Sequence, residues 1–323
     1  MKNVIFAVLL VLFSACSQQP TISYSVEDET EETIREIFTR EDKIPQDAVK
    51  ITPEMDVSPP ILHSDDFEEP VPLAVINSAG AEDSPFIPND RNELYFFFTP
   101  DVKVPIDKQL FDGVTGIYVS KNENGAWQEP ARVWLQDPGK LSLDGCEFVQ
   151  GNEMYFCTAR EGYTGLHWGT AIWQDDEWTD WQVNDFPEEY AVGELHFTSD
   201  MNGVYFHSTR QGGKGENDVW YMEKRDSIWQ EPVNVDAVNS EVGEGWPYLT
   251  PDGNELWINR WYMGTPGVFR SKKIDGEWQE PELIVSMFAG EPTLDSEGNL
   301  YFVHHYYKDN EMLEADIYVA YRK

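Results

Sequence analysis

Three cysteines, six histidines and 23 basic residues are all that this 323-residue chain offers against 59 acidic ones. Each scarcity excludes something. A net charge of −36 removes nucleic acid from the partners, because a phosphate backbone demands clustered Lys and Arg, and it disfavours unaided adhesion to anionic lipid. No His-x-x-x-His or Cys-x-x-Cys spacing occurs, so no standard zinc motif is present, and no EF-hand-type loop can be read. Only one apolar run stands out, Val4 to Phe13, and about ten residues are too few to span a bilayer.

That run has the form of a signal-peptide core. Lys2 precedes it, and Phe13-Ser14-Ala15-Cys16 follows, which resembles the lipobox of bacterial lipoproteins. The resemblance implies that Cys16 is lipidated and becomes the mature N-terminus, with residues 1–16 removed or modified as a signal. A plain secretory signal with Cys16 incidental is the alternative. No obvious inner-membrane retention signal follows Cys16, so the expected location is the cell envelope, at the outer membrane, with membrane contact only through the lipid. Residues 17–64 read as a flexible acidic tether. Between Ser17 and Pro70 lie fifteen acidic and four basic residues, and Pro45, Pro53, Pro59 and Pro60 interrupt regular structure.

What the chain has in abundance is aromatic residues, at 14%, together with 23 Gly and 20 Pro. This composition fits short strands separated by many turns. Self-similarity is the stronger signal. Trp-Gln-Glu-Pro occurs at Trp127–Pro130, Trp229–Pro232 and Trp278–Pro281, with a degenerate copy at Trp178–Trp181; the leading tryptophans are 51, 51 and 49 apart. A turn and an aromatic strand precede each copy, as in Asn92–Phe96, Asn152–Phe156, Asn202–Phe206 and Asn254–Ile258, and a fifth such strand is Gly298–Phe302. A period of roughly 50 residues with four strands is that of a propeller blade. The last unit lacks its Trp-Gln-Glu-Pro strand, and Phe67-Glu68-Glu69-Pro70 resembles it. The expectation is an all-β, five-bladed β-propeller over residues 65–323, closed by the N-terminal strand completing the last blade.

The segments Leu249–Trp257 and Ser208–Trp220 resemble the TolB-type, WD40-like PD40 β-propeller repeat, and the likeness covers about residues 65–323. That repeat serves binding scaffolds, protein-interaction domains and some carbohydrate-active enzymes, so the resemblance implies architecture more than activity. Its relatives usually carry six or seven blades, against five expected here.

Chemistry is expected at the channel mouth, where the innermost strands begin and the second strands end. The inner strands offer Glu147, Glu194 and Glu291, the second strands offer Arg160, Arg210 and Arg260, and Trp246, Trp261, His304 and His305 join them. Paired carboxylates serve glycosidic cleavage as acid and base, Glu194 with Glu291 first and Glu147 next. Arginine forks would clamp an anionic sugar, and tryptophans would stack on its ring. Structural ion pairs between blades are the plainer reading of the same Glu and Arg. No cofactor is required; a divalent cation held by His207, one of His304 and His305, and a carboxylate is conceivable, although strand alternation sends the two adjacent histidines to opposite faces. A two-residue turn at Gly151-Asn152 would bring Cys146 opposite Cys157, as a disulfide or as two buried thiols. Three functions stay open: an envelope module binding a glycan or a partner protein, a glycoside hydrolase or polysaccharide lyase, and a structural envelope protein.

Overall fold

A computed structural model describes residues 38–136 and 140–323. Cys16 and the signal-like run lie outside the described residues. Within them, no helix is long and apolar enough to cross a membrane, and helix is confined to Ile106–Gln109 and one 3-10 turn at Glu188–Tyr190.

Five antiparallel units follow one another. Their inner strands are Ala81–Phe86, Ser142–Gln150, Leu195–Phe197, Glu244–Leu249 and Ala289–Leu294. The second strands are Glu93–Thr99, Glu153–Arg160, Gly203–Ser208, Glu255–Tyr262 and Leu300–Lys308, and the third strands are Gly116–Glu123, His167–Gln174, Asp218–Arg225, Thr265–Ile274 and Glu311–Ala320. Each inner strand contacts the next, and the fifth contacts the first, so the units close a ring around an axis. We read these units as the blades of a β-propeller. Closure also appears at the edge. Val71 pairs with Val319 and Pro72 with Tyr318, so the N-terminal strand is the outer strand of the last unit and covers an edge that would otherwise be open.

The repeated motifs meet one another across the blade boundaries. Trp178 lies edge-on to Tyr95 of the preceding unit, Trp278 to Tyr205, and Trp127 to Tyr301 across the ring closure. The displaced copy obeys the same rule, because fully buried Phe67 sits edge-on to Trp257 at 6.1 Å between ring centres. Aromatic pairs of this kind add about 0.5–1.5 kcal/mol each beyond the area they bury. Trp-Gln-Glu-Pro therefore serves as a joint between blades at Trp127, Trp178 and Trp278.

The tether expectation over 17–64 differs from what residues 38–64 do. Arg40 is buried, and its guanidinium donates to the Ile76 carbonyl and to Glu82 at 2.9 Å. Lys50 pairs with Glu314 and Asp316 of the last third strand, and Asp56 meets His304 at 2.9 Å. Ile61–Leu62 then adds a strand to Glu282–Ser286. Composition alone made this stretch look solvated. Two of its basic residues, Arg40 and Lys50, instead act as counter-ions for acids buried in the blades.

Candidate functional site

The inner strands are not regular. Pairing register slips between Asp83 and Phe86, Gly145 and Phe148, Gly245 and Tyr248, and Gly290 and Thr293. At each slip a non-glycine residue is left-handed: Ser84 (φ 51°), Cys146 (54°), Trp246 (50°) and Glu291 (53°). Such a conformation costs on the order of 1 kcal/mol or more per residue, and its recurrence in four units marks it as a built feature. The preceding residue is usually glycine for a steric reason. A Cβ on Gly245 would meet Asn217 Nδ2 at 3.1 Å and His207 Nδ1 at 3.2 Å, and one on Gly290 would meet Asn259 Nδ2 at 2.7 Å. Asn259 in turn accepts a hydrogen bond from the Glu291 backbone N–H at 2.7 Å, and His207 Nδ1 accepts one from the Trp246 N–H at 3.3 Å. These bulges turn side chains from different blades towards the axis.

They line one pocket, bounded by Ser84, Pro85, Phe86, Cys146, Glu147, Glu194, Leu195, His196, Trp246, Pro247, Tyr248, Glu291 and Pro292. It encloses about 440 Å³, including the part open to solvent. All three expected glutamates are brought together here, with Asp83 beside them. Both carboxyl oxygens of Glu147 are buried without a hydrogen-bond partner, as is Oε1 of Glu291, whose Oε2 accepts from Ser84 Oγ at 2.6 Å. Burial pushes the Glu147 carboxyl well above the usual range, and the charges of Glu194 and Asp83 add to this. Burial and then Asp83 raise Glu194 to about 8, with the Trp246 indole opposing. Glu291 is also held well above its usual value, by burial first and then by Asp83 and Glu194.

The pocket therefore presents neutral carboxyl groups at neutral pH, able both to donate and to accept hydrogen bonds. His196 adds an acceptor. Its Nδ1 donates to the Phe197 carbonyl at 2.9 Å, which leaves Nε2 as a buried, unprotonated nitrogen, and burial drives its pKa down to about 3. The rings of Phe148 and Tyr248 stand edge-on to it, at 4.9 and 4.8 Å between centres.

The arginine clamp is not assembled. Arg160 is buried against Asp144 at 3.0 Å and donates to Thr158 and the Leu135 carbonyl. Arg260 spans Glu244 and Glu280, at 2.9 and 2.8 Å. Arg210 pairs with Glu231 and lies over the Trp220 ring. None of the three lines the pocket, so the plainer reading of structural ion pairs describes them. Trp246 lines it, whereas Trp261 is half-buried elsewhere. His304 and His305 do face opposite ways: His304 meets Asp56, and His305 Nε2 lies 3.6 Å from Asp83 Oδ1. His207 is not with them; it packs on the Trp246 ring. Cys146 and Cys157 form a disulfide. The expected register holds from Phe148 to Gln150, and the bulge then places Gly145 opposite Cys157.

Sequence reasoning placed Asp83 at the channel mouth only together with Glu82 and without a role, and it missed His196 as a pocket residue. Asp83 stands where three other units have the glycine before their left-handed residue, a substitution that aligning the inner strands on those glycines would have exposed.

No protein-family model matches the chain, and no curated protein does. Among solved structures, TolB from Acinetobacter baumannii is similar over 76% of this chain and 55% of its own, at 13% identity and a TM-score of 0.41. A GH43 glycoside hydrolase with endo-xylanase and exo-arabinofuranosidase activity is similar over 78% of this chain and 51% of its own, at 12% identity and a TM-score of 0.45. The chain thus spans about half the length of each. The gluconolactonase XC5397 from Xanthomonas campestris is similar over 83% of this chain and 99% of its own, at 12% identity and a TM-score of 0.40. The propeller assignment rests on this chain's own strand pairing and cyclic contacts.

Proposed function

We propose that this protein is an envelope β-propeller, anchored through a lipid on Cys16, that binds the end of a neutral glycan in its axial pocket. One observation carries the reading: Glu147, Glu194 and Glu291, from three blades, converge on an aromatic-lined pocket in which both carboxyl oxygens of Glu147 and one of Glu291 are satisfied by no protein group. Buried polar groups are ordinarily paired, so a set left open is suited to a ligand with hydroxyl groups of its own. Phe86, Trp246 and Tyr248 supply apolar faces for the C–H side of a sugar ring. The lining contains no Lys or Arg, and this turns the reading away from an anionic glycan towards a neutral one.

A second reading, hydrolysis of a glycosidic bond at the same place, is favoured by the unequal electrostatics. Glu194 and Glu291 are held protonated by burial and by the negative charge of Asp83, which suits one of them as general acid with Asp83 as the base or nucleophile. The chain from Ser17 onward, screened against neutral and anionic oligosaccharides, separates the readings. A melting shift with neutral sugars and no new reducing ends supports binding. A shift with new reducing ends that Glu194→Gln or Glu291→Gln abolishes supports hydrolysis. Silence with every sugar sinks both and leaves a protein partner.

A further inference from the structure

We propose that Asp83, Glu291 and His305 form a site for a divalent cation of the Zn²⁺ or Mn²⁺ kind at the wall of the axial pocket. One donor atom from each lies within 4.8 Å of the others, and His305 Nε2 is 3.6 Å from Asp83 Oδ1. The three come from separate strands: the first and last inner strands and the last second strand. Donors on strands are held more precisely than donors on loops.

An acidic cluster alone would not make a site. The independent observation is the state of His305. It is 2% exposed, yet neither ring nitrogen has a hydrogen-bond partner. Each of the other five histidines makes at least one hydrogen bond: His63 to Ser286, His167 to Asp185, His196 to the Phe197 carbonyl, His207 to the Trp246 N–H and His304 to Asp56. A buried imidazole left unpaired beside two carboxyl groups, one with a free buried oxygen, is the arrangement a metal completes. Ser84 Oγ donates to Glu291 Oε2 and so fixes the carboxyl with Oε1 available.

The donor set also indicates the class of ion. Two atoms on one ion lie at most two bond lengths apart, roughly 4.0–4.4 Å for Zn²⁺ and roughly 4.6–5.2 Å for Ca²⁺. His305 Nε2 and Asp83 Oδ1, 3.6 Å apart, already stand close to the spacing of roughly 3.4 Å between two donors on a tetrahedral Zn²⁺, and the wider separations close on it by up to about an ångström. Imidazole with two carboxylates selects a first-row transition ion over Ca²⁺ or Mg²⁺, which prefer oxygen throughout. Three protein donors leave coordination positions for water or for ligand hydroxyls.

This goes beyond the glycan reading and can fail without it, since the test uses metal alone. The chain from Ser17, treated with chelator and dialysed, would be titrated with Zn²⁺, Mn²⁺ and Ca²⁺ by calorimetry. The expected result is one equivalent of Zn²⁺ or Mn²⁺, with Ca²⁺ at least tenfold weaker. His305→Gln, Asp83→Asn and Glu291→Gln should each weaken that equivalent at least tenfold, while His304→Gln retains it. Circular dichroism identifies any variant that fails to fold, and the remaining variants carry the test. No binding by the parent protein, binding equal in all three folded variants, or a preference for Ca²⁺ would overturn the proposal.

Discussion

Glu82 and Asp83 are adjacent, as are His304 and His305, yet strand alternation sends one of each pair outward and the other to the axis. On the outward side buried acids meet partners from the N-terminal segment or, as Asp144 and Glu244 do with Arg160 and Arg260, from their own blade. Arg40 serves Glu82, Lys50 serves Glu314 and Asp316, and His304 meets Asp56. On the axial side, no Lys or Arg pairs with Asp83, Glu147, Glu194 or Glu291 among the described residues. Lys or Arg neutralises acids of the first set and none of the second. Paired acids hold the fold together, and on the proposed reading the unpaired ones are those that meet a ligand.

The contrast is open to attack, and the largest effect belongs to the outward side. Arg40→Ala should destabilise the protein by about 3–5 kcal/mol in urea unfolding, because it strands Glu82 without its cation. A loss under about 1 kcal/mol would mean that the N-terminal segment is not part of the fold. Glu147→Met, on the axial side, should have the opposite sign. Removing a buried carboxyl with no partner while keeping its volume should stabilise by about 1–3 kcal/mol and abolish sugar binding. Destabilisation would show that Glu147 is structural after all.

A pH series distinguishes the two regions less drastically. In the folded protein burial raises Glu82 and Glu314 to about 7 and Glu194 to about 8, so between the ordinary carboxyl range and those values the native state holds protons that the unfolded chain has released. Stability therefore falls as pH rises through that interval. His196 and His207 act in the other direction. Burial lowers both to about 3, the unfolded chain binds the extra protons, and stability falls as pH drops below the ordinary histidine value. Above pH 6.5 only the carboxyl effect remains, so the melting temperature should decline from there to pH 8, and Glu194→Gln should flatten the decline. A parent curve that rises across this interval would contradict the assignment. The smallest effect is expected at Arg210. Its partner Glu231 is exposed, so Arg210→Ala should cost under about 1 kcal/mol and leave sugar binding unchanged. Selective loss of an anionic ligand would restore the clamp.

Much of this architecture was legible because repetition exposes structure. The Trp-Gln-Glu-Pro and Asn-x-x-Tyr-Phe copies marked outer and second strands, and Phe67 was recognisable as the displaced copy before its contact with Trp257 was visible. The pocket was legible in part. Glu147, Glu194 and Glu291 stood at strand starts, but the arginines shared the same period and were placed with them. Period alone cannot tell a side chain facing the axis from one paired within its own blade, as Arg160 is with Asp144. Asp83 stood at the mouth beside Glu82, which carries the same charge, and the sequence did not tell which of the two faces inward. Residues 38–64 were misjudged because two cations that reach blade acids, Arg40 and Lys50, leave no periodic trace in an acidic, proline-rich stretch.

The most direct measurement is sugar binding by three proteins side by side: the parent chain from Ser17, its Glu147→Gln variant and its Lys50→Met variant. Thermal shift and calorimetry with a panel of neutral oligosaccharides would read each one. A neutral sugar bound by the parent and by Lys50→Met but lost in Glu147→Gln is the predicted result, since only the axial acids serve the ligand. Binding that survives in Glu147→Gln and disappears in Lys50→Met would place recognition on the outward side and contradict the division drawn here.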